Sequence, residues 1–329
     1  MSAPLVSVLI PCFNAAAFVG AALESVLAQT YAPIEIIVVD DGSTDGSAGV
    51  LDQFRARGVT VITQANAGQC AAANRALSAV NGAYIKFFDA DDLLHPEMIE
   101  RQMRVLNGRA DAVALGEWAR FYHVPEEAVF TPLPMYRNAD PVEWLTSEFL
   151  TGEPMMQCAM FLIPRAVLDH TGGWDERLSL INDFEFFARV LTAASEIIHA
   201  PGARMYYRSG LPGSLSRRKD RIAAESSSQS MLLAVGHLLA AEDDERTRRA
   251  CASVLANFEF EFYPAFPDLR RSIRHRIAEL GGTSQKPPGS PAFHKLRRWI
   301  GWRAARRVQI FAETLGYRRE ARHAAVRYD

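Results

Sequence analysis

The chain has 329 residues, enough for one large domain or two modest ones, and its 49% hydrophobic and 22% charged residues are the balance of an ordinary globular protein. A formal net charge of −2 makes it no electrostatic trap for nucleic acid. Its four cysteines, Cys12, Cys70, Cys158 and Cys251, are far apart, which argues against a zinc site or a disulfide framework and fits a reducing compartment.

The start of the chain lacks the basic flank of a signal peptide, so a cytoplasmic protein is expected. Residues 5–10 are an apolar run ended by Pro11, the pattern of a buried parallel strand. Asn14 is expected to cap a helix over about 16–29, where Phe18, Ala22, Leu23, Val26 and Leu27 recur at helical spacing. Residues 34–39 form a second strand, ending in Asp40-Asp41-Gly42-Ser43-Thr44-Asp45, with a helix near 48–56. Residues 59–63 read as a third strand, 69–79 as a helix and 83–88 as a fourth strand. This alternation predicts an α/β fold with a mainly parallel sheet flanked by helices, and ligands in such sheets bind beyond the carboxyl ends of the strands. Here those ends carry Pro11, Phe13 and Asn14, then Asp40 and Asp41, then Asn66 and Gly68, then Asp89, Ala90 and Asp91.

The fourth strand runs through Tyr84-Ile-Lys-Phe-Phe into Asp89-Ala90-Asp91-Asp92. Three carboxylates within four positions repel one another unless a positive charge lies between them. Magnesium or manganese, held by one or two carboxylates and by ligand phosphates, answers that need and points to a nucleoside diphosphate. Asp91 or Asp92 would also serve as a plain cap for the helix entered through His95-Pro96. Likewise, one carboxylate of the Asp40-Asp41 turn could accept the imide N–H of a pyrimidine stacked on Phe13, or the turn could be structural and Phe13 a core aromatic.

Residues 96–106 read as a helix and 112–115 as a strand. Residues 117–150, with four prolines, are expected to be irregular and solvated, and 155–163 return to strand character. Gly172-Gly173-Trp174 suggests a tight bend delivering a loop into a pocket, with Asp183 in the first turn of the next helix, where an acid also simply complements the helix dipole. His199 could complete a metal shell or merely be packed. From about 222 the composition favours helices, and 281–291 reads as a linker. Beyond it Phe293, Leu296, Ile300, Ala304, Val308, Phe311 and Leu315 form one stripe, with Trp299 and Trp302 among Lys295, Arg298, Arg303 and Arg306. Residues 292–315 thus suit either a peripheral contact with the inner membrane face, or packing on the catalytic domain or on a second subunit of a homo-oligomer.

In order and separation, the segments Val6-Ser-Val-Leu-Ile-Pro-Cys-Phe-Asn14, Ile36-Ile-Val-Val-Asp-Asp-Gly-Ser-Thr-Asp45, Asn66-Ala-Gly68 and Gly82-Ala-Tyr-Ile-Lys-Phe-Phe-Asp-Ala-Asp-Asp92 resemble the signatures of family 2 glycosyltransferases with the GT-A fold. The resemblance covers roughly residues 7–217. It implies an inverting transferase domain over 1–218 that uses a nucleotide sugar, with UDP-sugar favoured, and Mn2+ or Mg2+, followed by a helical region over 219–329. The acceptor would be a saccharide or a lipid-linked saccharide. By position, Asp41 would hold the base with Phe13 beside it, Asp89 would sit near the ribose, and Asp91 would contact the metal. Pro11, Asn14, Asn66, Gly68, Asn74 and Ala90 would line the donor, Arg208 or Arg217 would close over the diphosphate, and Asp183 would be the catalytic base. Two departures stand out: Ala73 precedes Asn74 where many relatives have arginine, and Asn182 replaces a glutamate before Asp183. Without that neighbouring charge, any raising of the pKa of Asp183 must come from burial. A catalytically inactive nucleotide-sugar-binding protein is the alternative. A nucleotidyltransferase would want a glycine-rich phosphate loop after the first strand, and Pro11-Cys12-Phe13-Asn14 offers none.

Overall fold

The structure is a computed structural model that describes residues 3–211 and 218–314. In chain order its first half contains β1 (Val6–Cys12), α1 (Val19–Leu27), β2 (Ile34–Asp40), α2 (Ser47–Arg55), β3 (Val59–Thr63), α3 (Gln69–Leu77), β4 (Tyr84–Phe87), β5 (Leu93–Leu94), α4 (Met98–Leu106) and β6 (Ala112–Phe121). There follow α5 (Pro141–Thr151), β7 (Phe161–Pro164), α6 (Arg165–Thr171), α7 (Asn182–Thr192) and β8 (Glu196–Arg208), then α8 (Arg221–Ala241), α9 (Glu245–Glu261), α10 (Pro267–Glu279) and α11 (Pro291–Thr314).

The strands form one sheet in the order β3-β2-β1-β4-β7-β6-β8-β5. The four strands read from the sequence, β1 to β4, are mutually parallel, so their carboxyl ends share one edge. Beyond β4 the sheet is mixed: β7 runs antiparallel to both β4 and β6, β8 runs parallel to β6, and β5 runs antiparallel to β8. Every residue of β1 except Pro11 is buried, as a strand covered on both faces requires.

Three expectations need correction. The first helix starts at Val19, because Asn14 adopts a left-handed conformation with φ 49° and its Oδ1 accepts a hydrogen bond from Thr44 N at 2.8 Å. Asn14 therefore ties the first loop to the second instead of capping. The 117–150 stretch is not all irregular: Asp140 accepts bonds from Val142 N and Glu143 N and caps α5, which buries Trp144, Leu145 and Phe149. The terminal stripe is not one stripe, because Gly301 at φ 75° kinks α11. Leu315 lies outside the described residues.

The C-terminal helices pack onto the sheet half through α8. Ser226 Oγ accepts bonds from Ser179 N and Leu180 N and donates to Leu180 O, while Ser230 Oγ donates to Ile181 O at 2.6 Å. Further on, buried Glu259 of α9 meets Arg274 of α10 at 3.0 Å and Arg303 of α11 at 3.2 Å. Among the described residues no helix is long and apolar enough to cross a membrane. Because Trp144 is fully buried and its Nε1 donates to Met135 O, Trp144→Ala is expected to cost about 3–5 kcal/mol, read as a lowered urea midpoint.

Candidate active site

The carboxyl ends of β1 to β4 bring together most of the residues picked out in the sequence. Asp41 is buried just beyond β2. Its Oδ1 accepts bonds from Gln64 Nε2 and Ala67 N, and its Oδ2 accepts one from Gly68 N at 2.8 Å. It thereby holds the loop between β3 and α3 against the β2 turn. Gly42 is needed in that turn: at φ 75°, a Cβ there would lie 2.9 Å from Asn66 N. Phe13, at the end of β1, is half exposed, an open aromatic face beside this loop pair.

The acidic edge after β4 is held by donors that sequence reasoning missed. Gln69 Nε2 donates to Asp89 Oδ1 at 2.9 Å. Gln157 Nε2 donates to two carboxylates, Asp89 Oδ2 at 3.1 Å and Asp92 Oδ2 at 2.8 Å, with Cys158 Sγ at 3.7 Å. Arg208 N donates to Asp92 Oδ1 at 2.7 Å and Arg208 Nε to Asp91 O at 2.7 Å, with the guanidinium against the rings of Phe18 and Phe121. Arg208 thus stands at the acidic turn itself. Arg217 lies outside the described residues.

Burial, followed by the charge of Asp91, pushes the Asp89 carboxyl up to about 6, and burial raises Asp92 well above the usual range. Asp91 is only partly buried, and burial raises it too, against the pull of Arg208. With Asp89 and Asp92 engaged by protein donors, Asp91 is the carboxylate left for an outside charge. No group of three His, Cys, Asp or Glu among the described residues converges as an enclosed metal cage. One open carboxylate suits a magnesium or manganese ion completed by ligand phosphates and water. His199 does not join it: its Nε2 lies 3.4 Å from Glu117 Oε1 and its ring stacks on Tyr136, toward the other end of β8 from Arg208.

Gln157 is placed by a buried lysine. Lys86 Nζ donates to Gln102 Oε1, Ala159 O and Phe161 O, at 2.9, 2.7 and 3.3 Å. Gln102 Nε2 is committed to Met160 O, so the amide orientation is fixed and three acceptors surround the nitrogen. Burial pushes Lys86 down to about 7, but three acceptors are the surroundings of an ammonium with its three donors. The bonds to Ala159 and Phe161 pin the turn that begins at Gln157.

Opposite the acidic edge is Asp183, in the first turn of α7. Among the described residues its carboxylate meets no side-chain donor, only its own backbone N–H. Its pKa is raised well above the usual range, first by burial and then by Asp89. Neutral Asn182 turns inward, Nδ2 to Cys70 Sγ at 3.0 Å and Oδ1 to Asp183 N at 3.2 Å. Asn74 is committed to the preceding loop: Oδ1 accepts from Trp174 N at 2.7 Å, and Nδ2 donates to Trp174 O and Glu176 Oε1. A Cβ on Gly173 would lie 2.3 Å from Asn74 Oδ1, so any larger residue there would have to displace the Asn74 amide. Trp174 stacks on Phe186 at 3.9 Å, and with Pro11, Gln69, Ala73, Asp89 and Asn182 it lines a cavity of about 10 Å3, the size that admits one water.

A mixed sheet with a parallel half ending in this acidic edge, flanked by helices and extended by more of them, is the GT-A fold. S. aureus TarS 1–349 in complex with UDP-GlcNAc superposes with a TM-score of 0.68 at 18% identity, covering 95% of this chain and 93% of that one. The mannosyltransferase PcManGT of Pyrobaculum calidifontis, in complex with GDP-Man and Mn2+, superposes with a TM-score of 0.53 at 17% identity, covering 97% and 89%. The model of the family described as glycosyl transferase family 2 matches residues 7–172, and the chain belongs to that family. An uncharacterized glycosyltransferase of Nostoc sp. is 42% identical over 103 residues, 30% of this chain and 32% of that protein. The putative teichuronic acid biosynthesis glycosyltransferase TuaG of Bacillus subtilis is 32% identical over 140 residues, 39% of this chain and 56% of TuaG. The chain therefore spans less than two-thirds of the length of either relative.

Gln157→Leu keeps the volume but leaves two buried carboxylates each short of a donor. A loss of about 1–3 kcal/mol per stranded group is expected, read by urea unfolding. Unchanged stability would show that these bonds do not hold the edge.

Proposed function

We propose that the chain is an inverting glycosyltransferase that moves a sugar from a nucleoside-diphosphate sugar, UDP-sugar favoured, to a hydroxyl of a saccharide or lipid-linked saccharide on the cytoplasmic side. The observation that carries this reading is Asp183: a carboxylate with no side-chain donor among the described residues, next to Asn182, which lines one cavity with Asp89, and with its pKa raised by burial and by Asp89.

In this reading the acceptor hydroxyl is aligned by the walls around Trp174 and attacks the anomeric carbon from the face opposite the diphosphate. The bond from that carbon to the diphosphate oxygen breaks as the new glycosidic bond forms, and Asp183 takes the hydroxyl proton. Positioned base catalysis of this kind contributes roughly 10²- to 10⁴-fold. A magnesium or manganese ion held by Asp91 would neutralise the leaving diphosphate. Asp89 faces the ribose, and Gln69 and Gln157 fix its orientation. A carboxylate has about four lone-pair directions. Three are used on Asp41, and the one remaining on Oδ2 suits a single imide N–H of uracil beside Phe13. The UDP-GlcNAc bound by the structurally similar TarS supports the same nucleotide.

Two outcomes are expected. Asp183→Asn lowers transfer about 10²- to 10⁴-fold and leaves UDP affinity within about a factor of two, measured by release of UDP and by calorimetry. The acid limb of the wild-type rate profile lies above the ordinary carboxylate range, because the base must lose its proton to act, and the Asn variant lacks that limb. Second, calorimetric UDP binding requires manganese and is lost both in chelator and in Asp91→Ala. Binding without turnover in the wild type, with every acceptor class tried, would favour the inactive binding protein.

A further inference from the structure

Eight large hydrophobic side chains are exposed among the described residues, and four of them, Trp299, Ile300, Val308 and Phe311, lie within thirteen positions of α11. Trp299 is 88% exposed, more than any of the other seven. Phe293 and Ala305 are buried, Trp302 lies edge-on to Phe260 and Tyr263, and Arg303 meets buried Glu259, while Trp299, Ile300, Val308 and Phe311 stay exposed on either side of the kink at Gly301. The helix is thus anchored through Trp302 and Arg303 and exposes apolar and basic side chains together.

Up to residue 312 the helix itself carries charge of one sign, and the acidic neighbours Glu153, Glu259 and Glu261 lie on the side of Trp302. Residues 291–312 carry six Lys and Arg and no Asp or Glu, in a chain whose net charge is −2. Lys295 and Arg298, both exposed, lie four and one positions before Trp299, so they flank the indole. An exposed Trp among basic residues on an anchored helix is the chemistry of an interfacial segment: the indole sits at headgroup depth while long basic side chains reach anionic phosphates. Each basic residue held near an anionic leaflet strengthens binding by roughly a factor of five.

We propose that the outer face of α11, centred on Trp299 and Ile300, docks the protein on an anionic phospholipid surface. Binding to lipid stands independently of sugar transfer; only the corollary, that a lipid-linked acceptor is met at this surface, rests on the proposed function.

The full chain is sedimented with phosphatidylglycerol-containing vesicles and with pure phosphatidylcholine vesicles, at low and high salt. Association with the anionic vesicles alone is expected, weakening with salt as screening shortens the reach of the charges. A variant carrying Trp299→Glu and Ile300→Glu should lose that association by about tenfold or more, consistent with removing buried apolar area and adding repulsion. UDP calorimetry on the same variant reports whether the fold and the donor site are intact, and vesicle binding by the wild type needs no active site. No association of the wild type with anionic vesicles overturns the proposal. So does unchanged association of the variant. A dimer in solution that the double substitution splits, without vesicle binding, would assign the face to a second copy instead.

Discussion

Three carboxylates crowded at the end of one strand are the constraint on which the rest of the site depends. Asp89, Asp91 and Asp92 cannot all be solvated by water where β4 leaves them; among the described residues Arg208 draws on Asp91 and Asp92, and Asp89 has no cation beside it. The fold supplies neutral donors: one side-chain hydrogen bond from Gln69, two from Gln157 and one backbone N–H from Arg208. Neutral donors orient a carboxylate without cancelling its charge, so the edge stays electronegative. Lys86 carries the arrangement one step deeper, fixing through main-chain carbonyls the turn from which Gln157 reaches out.

A second set of bonds holds the opposite wall. Asn74 grips the Trp174 loop from the side of α3, and the serines of α8 grip residues 179–181 from behind. Asp183 follows two residues later, at the start of a helix whose Phe186 and Phe187 pack against Trp174. Its position is set by bonds to neighbours on both sides, while its carboxylate is left without side-chain donors among the described residues. That is what the proposed base requires.

The sequence was most informative where chemistry and periodicity coincide. Alternating apolar runs and helices marked β1 to β4, and polar residues at their ends marked the edge. Asp41, Asp89, Asp91 and Asp183 stood out because acids at strand and helix ends are conspicuous by composition. Burial as the main cause of the raised Asp183 pKa followed from reading Asn182 as neutral. What stayed hidden is long-range: Gln157 sits in an apolar run with nothing nearby to show that it faces carboxylates 65 and 68 positions away. Nor did anything near Asn74 in the sequence show that its amide grips Trp174 and Glu176, a hundred residues on. The α5 helix was obscured by prolines, although Asp140-Pro141 is a helix start followed by Trp144, Leu145 and Phe149. The kink at Gly301 was overlooked because apolar spacing on either side of it still fitted a single period.

The serine contacts of α8 also bear on how such a chain can be recombined. The family match covers residues 7–172, which contain the acidic edge but neither Asp183 nor the helix that supports it. The end of that match therefore falls between the acidic edge and Asp183. A chimera cut there would take the acidic edge from one parent and the proposed proton acceptor from the other. Its two halves would work together only if the foreign helix offered hydroxyls where Ser226 and Ser230 stand.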